Sequence, residues 1–417
     1  CFWINLSRKD VMEYKINNKD QLDKFVCENW DKINAYIAKI QIGLPIPFYS
    51  SVDIRESKDK YAPVDHNMYP AGFNNLCNVD LRGATNLVRE TLKKINPEAR
   101  NVAIIPESHT KNLMYLDHLA TLSKLTEEAG YKTYFVSFDS ALFPSNEDFI
   151  ELTSASGSPI KMIRGQIKNG TICALGEKID MAINNNDQSN PWPIEWKEIK
   201  TPIAPTPLIG WFRRQKNIHF SYYKKVADEF AAFFEINPDL IQAQFRAVED
   251  VDFETKHGLE KLGTAVDDII SKLSPGSKVF VKASQGTYGM GISVVSSGEE
   301  IINMNRKTRN KMDVGKNSIK FTSLLVQEGV ETIIKYDDKP AEITVYLIDG
   351  KSMGGFMRIN GEKDSLGNLN SRGMVFRKLC MSDLEGSVED HKSKDAIYSI
   401  IARLATVASA YEIKEVL

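Results

Sequence analysis

Lys282 closes an apolar run, Val279-Phe-Val-Lys282. It is followed by Ala-Ser-Gln-Gly286-Thr-Tyr-Gly289-Met-Gly291 and a second run, Ile292-Ser-Val-Val295. A strand ending in a lysine, a glycine-rich tip and a returning strand put one cation and a row of backbone N–H groups where a polyphosphate would lie. The two commonest nucleotide loops are excluded. Gly286 and Gly291 have P-loop spacing, but Ile292 stands in the lysine position and a strand, not a helix, is expected next. The G-x-G-x-x-G fingerprint fails because Val294 stands where its last glycine belongs. What remains is a β-hairpin flap over phosphates.

Further polar residues follow in an order that suits the same chemistry. Gln327 and Glu328, where a strand exits into Gly329, would present side chain and backbone to an adenine edge and a ribose. Arg358, at the end of a later strand, would hold a terminal phosphate or an acyl phosphate in bidentate fashion. Glu362, Asn368 and Asn370 are hard oxygen ligands of the kind Mg²⁺ takes alongside phosphate oxygens. A single arginine or lysine at a strand end is usually a solvated rim charge. The order of the whole set is what favours a site.

A chain of 417 residues is too long for one ordinary core, so two or three domains must position these groups. A net charge of −2 gives no reason to expect a nucleic-acid partner or an anionic membrane surface. No apolar run approaches the length expected of a segment that crosses a bilayer. The five cysteines (Cys1, Cys27, Cys77, Cys173, Cys380) form no C-x-x-C pair, which suits reduced core thiols in a cytoplasmic setting. Residues 1–11 do not read as a signal peptide, and Met12 is a candidate natural start.

Apolar periodicity predicts a helix over 20–40, then an aperiodic loop over 44–80 rich in Pro, Asn, Asp and Gly, of the sort that carries function. A helix near 82–95, a strand at 102–105, a helix over 111–129 and a strand at 134–138 read as a parallel βαβ unit, with another strand at 179–183. The prolines of 191–207 mark a junction between an N-terminal α/β domain, 1–190, and a second region, 208–417. Helices at 221–235 and 259–273 precede the glycine hairpin, and Ser297 with Glu300 forms a capping box opening a helix to about residue 312. Strands at 324–330, 341–348 and 352–359 follow, the last two joined by the turn pair Asp349-Gly350, before a closing helix at 391–412.

Lys282, Gly286-Thr-Tyr-Gly-Met-Gly291, Gln327-Glu-Gly-Val330, Ala341-Glu342, Gly354-Gly-Phe-Met-Arg358 and Asn368-Leu-Asn370 resemble the ATP-grasp part of the proteobacterial-type glutamate–cysteine ligases. Upstream, Pro47-Phe-Tyr-Ser-Ser-Val-Asp53, Ala62-Pro-Val-Asp65, Asn67, Tyr69-Pro-Ala-Gly-Phe-Asn-Asn-Leu76, Pro106-Glu-Ser-His-Thr110, Asn185-Asn-Asp-Gln-Ser189, Gly210-Trp211 and His219-Phe220 look like that family's N-terminal signatures. The similarity runs from about residue 35 to the C-terminus. It implies a mixed α/β and α+β multidomain fold, with an N-terminal α/β substrate domain followed by an ATP-grasp-like two-lobed ATP-binding region. It also implies ATP and Mg²⁺ as cofactors, and glutamate and cysteine joined through a γ-glutamyl phosphate in the first step of glutathione biosynthesis. Its partners would be these small molecules, with no nucleic acid and no membrane; a homo-oligomer is left open.

By the same resemblance, Lys282 and the flap residues Ser284, Gly286, Thr287, Tyr288, Gly289 and Gly291 hold the phosphates. Gln327, Glu328 and Val330 border adenine and ribose, and Arg358 stabilises the transferring phosphoryl group. ATP-grasp enzymes commonly carry an acid where Asn368 stands, so Glu342 or Glu362 must supply the metal carboxylate beside Asn368 and Asn370. Thr344 stands where related strands often carry arginine. For the amino acids, the expectation rests on Arg55, Asp65, Asn67, Asn74 and Asn75 in the long loop, on His109, and on the basic run Arg213, Arg214 and Lys216. Two alternatives stay open: the same chemistry with another amine acceptor, and a non-catalytic nucleotide binder.

Overall fold

The computed structural model describes residues 14–108, 110–144, 147–285, 292–313, 323–380 and 389–417. The glycine tip at 286–291 and His109 lie outside them. The expected N-terminal helix is two, α1 (Lys19–Glu28) and α2 (Trp30–Gln41), broken at Asn29. Residues 44–80, expected as a loop, contain β1 (Tyr49–Glu56) and β2 (Tyr61–Asn67). All eight residues of β1 are buried. Val52 and Ile54 occupy one face and Asp53 and Arg55 the other, an alternation confined to Ser51–Arg55 inside a stretch otherwise rich in turn-forming residues.

The N-terminal α/β unit follows: α3 (Asn78–Ile95), β3 (Asn101–Ile105), α4 (Leu113–Glu128), β4 (Lys132–Ser137), β5 (Phe149–Thr153) and β6 (Pro159–Arg164). A small sheet of β7 (Gln166–Lys168), β8 (Thr171–Ala174) and β9 (Glu177–Lys178) intervenes before β10 (Met181–Asn184) and β11 (Ile203–Ala204). The main sheet has the order β11-β10-β3-β4-β6-β5, with β3 parallel to both β10 and β4. The βαβ unit expected from periodicity is thus β3–α4–β4. Strands β5, β7, β8 and β9 fall where no strand is expected; all are short, and β5, β7 and β9 have no buried residue to give an apolar pattern.

The second half runs α5 (Lys216–Phe234), β12 (Phe245–Glu249), α6 (Lys256–Ile270), β13 (Val279–Ala283), β14 (Ser293–Val295), α7 (Gly298–Ile302), α8 (Arg306–Asp313) and β15 (Ser323–Glu328). Then come β16 (Lys335–Tyr336), β17 (Lys339–Ile348), β18 (Lys351–Asn360), β19 (Met374–Leu379) and α9 (Glu389–Lys414). Strands β12-β15-β13-β14 form one antiparallel sheet, with β13 and β14 as the two arms of the glycine hairpin. Asp349 and Gly350, both at positive φ (46° and 70°), make the β17–β18 turn, as that pair does when the turn twist must match the strands.

The second sheet has the order β19-β18-β17-β1-β2. Strands from the first half therefore complete the sheet of the second, and the Pro-rich junction does not separate the sheets along the chain. One face of this central sheet (Val52, Ile54, Ile343, Val345, Leu347) packs with Tyr223 and Phe230 of α5 and Ile401 and Leu404 of α9 in a shared core. Its opposite face carries charge.

Two expectations need correction. Asp395–Lys414 of α9 is apolar enough to span a bilayer by length and composition, contrary to the reading that no such run exists. Its apolar window is 83% buried inside the fold, so the hydropathy belongs to a core helix. The cysteines are not all free thiols either: Cys77, at the N-cap of α3, is disulfide-bonded to Cys380, just past β19. Cys173 is a free thiol.

Candidate active site

A cavity of about 530 Å³ lies where the three main sheets meet. Each contributes its own chemistry. From the hairpin sheet, β13 presents Lys282 and β15 presents Gln327. The Lys282 Nζ donates to Gln327 Oε1 (2.7 Å) and to the Val64 carbonyl (3.4 Å). Burial, then the neighbouring Lys216, lowers the Lys282 pKa to about 8 against the pull of Asp65, so this ammonium lacks a full counter-charge. Gln327 is 1% exposed, and its Nε2 has no partner among protein atoms. A buried amide donor without an acceptor is costly, and a ligand oxygen would satisfy it.

The charged face of the central sheet forms the opposite wall. Arg358 on β18 donates through Nη1 to Asp53 Oδ2 (2.5 Å) and Glu342 Oε1 (2.6 Å). Arg55 Nε donates to Glu342 Oε2 (2.9 Å), and Thr344 Oγ1 donates to Asp53 Oδ1 (2.7 Å). Burial opposes ionisation of Glu342, but Arg55 and Arg358 outweigh it and hold the carboxyl below its usual range. For Asp53 burial prevails over Arg358 and pushes the carboxyl up. Strand register explains the grouping. Asp53 pairs with Thr344 across β1–β17, and Glu342 with Arg358 across β17–β18, so all four side chains share one face.

Lys216 joins from the first turn of α5. Its N–H donates to the Ser284 carbonyl (2.7 Å) and its Nζ to Asp65 Oδ1 (2.7 Å). Burial raises the Asp65 pKa, but Lys216 and Lys282 overcome it and bring it to about 2. Two lysines from separate elements therefore converge on one cavity, with a single carboxylate between them.

The sequence pattern of the family described as GshA, glutamate-cysteine ligase, matches residues 23–413. The chain belongs to the glutamate–cysteine ligase family. It is similar along 94% of its length to 96% of a putative gamma-glutamylcysteine synthetase from Methylobacillus flagellatus KT, at 30% identity and a TM-score of 0.85. The D-alanyl-alanine synthetase A of Vibrio cholerae O1 biovar eltor str. N16961 is far less similar (TM-score 0.38, 11% identity, 73% of this chain and 79% of that one). So is a glutathione synthetase-like effector of Globodera pallida (TM-score 0.42, 11% identity, 86% of this chain and 83% of that one). No curated protein matches the chain. Family membership makes the chain a ligase and implies use of ATP.

In this ligase the expected site residues divide into three groups. Lys282, Gln327, Glu328, Val330, Glu342, Arg358, Asn368 and Asn370 all line the cavity, as do Asp65, Asn67, Asn74 and Asn75. A second group is committed elsewhere. Arg55 reaches the cavity wall, yet its guanidinium is spent on Glu342 and on the carbonyls of Val330, Leu366 and Gly367, so it ties loops rather than holding an amino acid. Arg214 lies behind the central sheet, bonded to Glu412 and His66, and Arg213 is exposed; neither lines the cavity. Ser284 is bonded to Ser323, and Glu362 borders an adjoining groove with Lys278 and Asn368. The third group, Gly286, Thr287, Tyr288, Gly289, Gly291 and His109, lies outside the described residues.

The expected metal ligands are not drawn into one cage. Among the described residues no group of three or more His, Cys, Asp or Glu could hold a metal ion. Glu342 with the amide oxygens of Asn368 and Asn370 is a sparse, hard-oxygen donor set. It fits a magnesium ion that arrives on phosphate oxygens rather than one held by protein alone. Sequence reasoning did not assign Asp53, although Ser51, Asp53 and Arg55 alternate with Val52 and Ile54 on β1, which is a period-2 signal.

Proposed function

We propose that this ligase joins the γ-carboxylate of L-glutamate to the amine of L-cysteine, using ATP and passing through a γ-glutamyl phosphate. A carboxylate is a poor electrophile because oxide would have to leave; transfer of a phosphoryl group supplies a better leaving group. The amine nitrogen then attacks the γ-carbonyl carbon, the C–O bond to phosphate breaks, and the nitrogen gives up a proton. Catalysis of this kind is mainly positioning and charge neutralisation. The observation that carries the reading is the pairing of Lys282 and the unpartnered Gln327 Nε2 on one wall with Arg358 on the facing sheet.

Lys282 and Lys216 would neutralise phosphate oxygens. Arg358, steadied by Asp53 and Glu342, would meet charge on the transferring phosphoryl group. Glu342, Asn368 and Asn370 would hold magnesium, whose charge would offset that of the polyphosphate. Val330 and Glu328 suit the nucleoside end, where Glu328 is already steadied by Lys60 (2.8 Å).

The test is ADP release with glutamate and Mg-ATP, with and without cysteine, followed by mass analysis. Cysteine-dependent ADP release with γ-glutamylcysteine formed is expected. Turnover with another amine exceeding that with cysteine would replace the acceptor, and ATP binding without turnover on any amine would overturn the reading.

A further inference from the structure

The cavity extends beyond the ATP-facing sheets to a place that the proposed chemistry leaves unassigned. In the N-terminal sheet the chain leaves β3 through α4 to β4 on one side and later returns to β10 on the other. Strands β3 and β10 thus flank the topological switch point, and open parallel sheets bind ligands in the crevice beyond the carboxyl ends of such strands. Glu107 follows β3 and Asp187 follows β10, and both line the cavity with Tyr115, Asn185 and Trp211.

The two strand ends are stitched together. The Asp187 N–H donates to Glu107 Oε1, and the Glu107 N–H donates to Tyr115 Oη (2.8 Å). Tyr115 Oη in turn donates to Asn185 Oδ1 (2.8 Å). Asp187 Oδ1 takes the Ser189 N–H (2.8 Å), while the Asp187 carbonyl takes the Trp211 N–H (2.8 Å). His118, bonded to Asn185 behind Tyr115, is pushed down to about 4 by burial and adds no positive charge. Two carboxylates, Glu107 and Asp187, thus meet at this part of the cavity wall. Across from it, buried donors without protein partners, Gln327 Nε2 and Arg358 Nε, call for an anionic ligand group.

A molecule with a carboxylate at one end and an ammonium at the other fits that polarity. Resting on the ligase reading above, we infer that Glu107 and Asp187 hold the α-ammonium of the glutamate, leaving its γ-carboxylate toward Lys282 and Arg358. The assignment to glutamate rather than to the acceptor follows from chemistry. The acceptor amine must lose a proton to react, and two carboxylates oppose that loss. The glutamate amine must keep its proton. Once neutral, it would attack the γ-carbonyl carbon of its own acyl phosphate, forming a C–N bond, breaking the C–O bond to phosphate and losing a proton, to give the lactam 5-oxoproline. The pair thus serves both binding and fidelity.

The test uses the whole chain with Asp187→Asn and, separately, Glu107→Gln. Calorimetric titration with glutamate and with glutarate, which lacks the amine, is done in the presence of Mg²⁺ and a non-hydrolysable ATP analogue. The wild type is expected to prefer glutamate by about 10- to 100-fold, and each variant to lose most of that preference while binding the analogue normally. In turnover, the share of 5-oxoproline per ADP should rise several-fold in both variants, a change that a merely structural role would not produce. Unchanged preference and product ratio in both variants overturns the inference, as does a rise in KM for cysteine alone. If the wild type makes no γ-glutamylcysteine yet shows the preference, the ligase reading has failed at its acceptor and the inference stands. If it makes the product without any preference, the inference alone has failed.

Discussion

Lys282 is the residue on which most of the chemistry converges. Its pKa of about 8 in the unliganded protein comes from burial and from Lys216, and polyphosphate would supply the missing counter-charge. Replacing it by alanine should lower kcat/KM by about 10²–10³, because a preorganised charge at the phosphates is lost. A loss under about threefold in steady-state kinetics would place the phosphates elsewhere. The sign of the pH dependence follows too. The charged form binds ATP and prevails below about pH 8, so ATP affinity should fall as pH rises through that value. Calorimetry from pH 6.5 to 9.5 should show this fall in the wild type and a flatter profile in Lys282→Met. At this scale the sequence made Lys282, Gln327 and Arg358 legible, since each closes or exits an apolar run. It did not reveal that Arg214 points behind the sheet or that Arg55 is consumed by carbonyls, because those facts depend on packing across the fold.

Among the elements, β1 explains most of what was hidden. Its alternation spans only Ser51–Arg55, with buried charge where a solvated face is expected, and sits in a segment rich in Pro, Asn, Asp and Gly, so the segment reads as loop. The β17–β18 hairpin, by contrast, was plain from Asp349-Gly350 between two apolar runs. Arg55 on β1 is where the strand fastens the site: one guanidinium joins Glu342 to the segments at 330 and 366–367. Arg55→Ala would leave a buried carboxylate with only Arg358 and release three carbonyls. It should destabilise the protein by about 3–5 kcal/mol. Urea unfolding would check this, and a change below about 1 kcal/mol would mean the tie is dispensable.

For the whole molecule, the decisive fact is that the two halves of the chain interleave. Strands β1 and β2 complete the sheet of β17 and β18, and α9 packs beneath that sheet with α5 in the same core. Periodicity along the sequence cannot show such pairing, because the partners lie some 290 positions apart (Asp53 and Thr344). The Cys77–Cys380 disulfide spans the same two halves, its ends 303 positions apart in sequence. Cross-linking so long a loop should stabilise the protein by about 2–5 kcal/mol, so Cys77→Ser should unfold at lower denaturant under non-reducing conditions. With reductant present, the two proteins should differ much less.

The central claim is that glutamate's γ-carboxylate is phosphorylated before the amine attacks. Glutamate carrying ¹⁸O in both γ-carboxylate oxygens, turned over with unlabelled ATP and cysteine, tests it directly by mass analysis of the inorganic phosphate. One ¹⁸O atom is expected in each phosphate released and one in the new amide. Phosphate free of ¹⁸O, with γ-glutamylcysteine formed all the same, would contradict it.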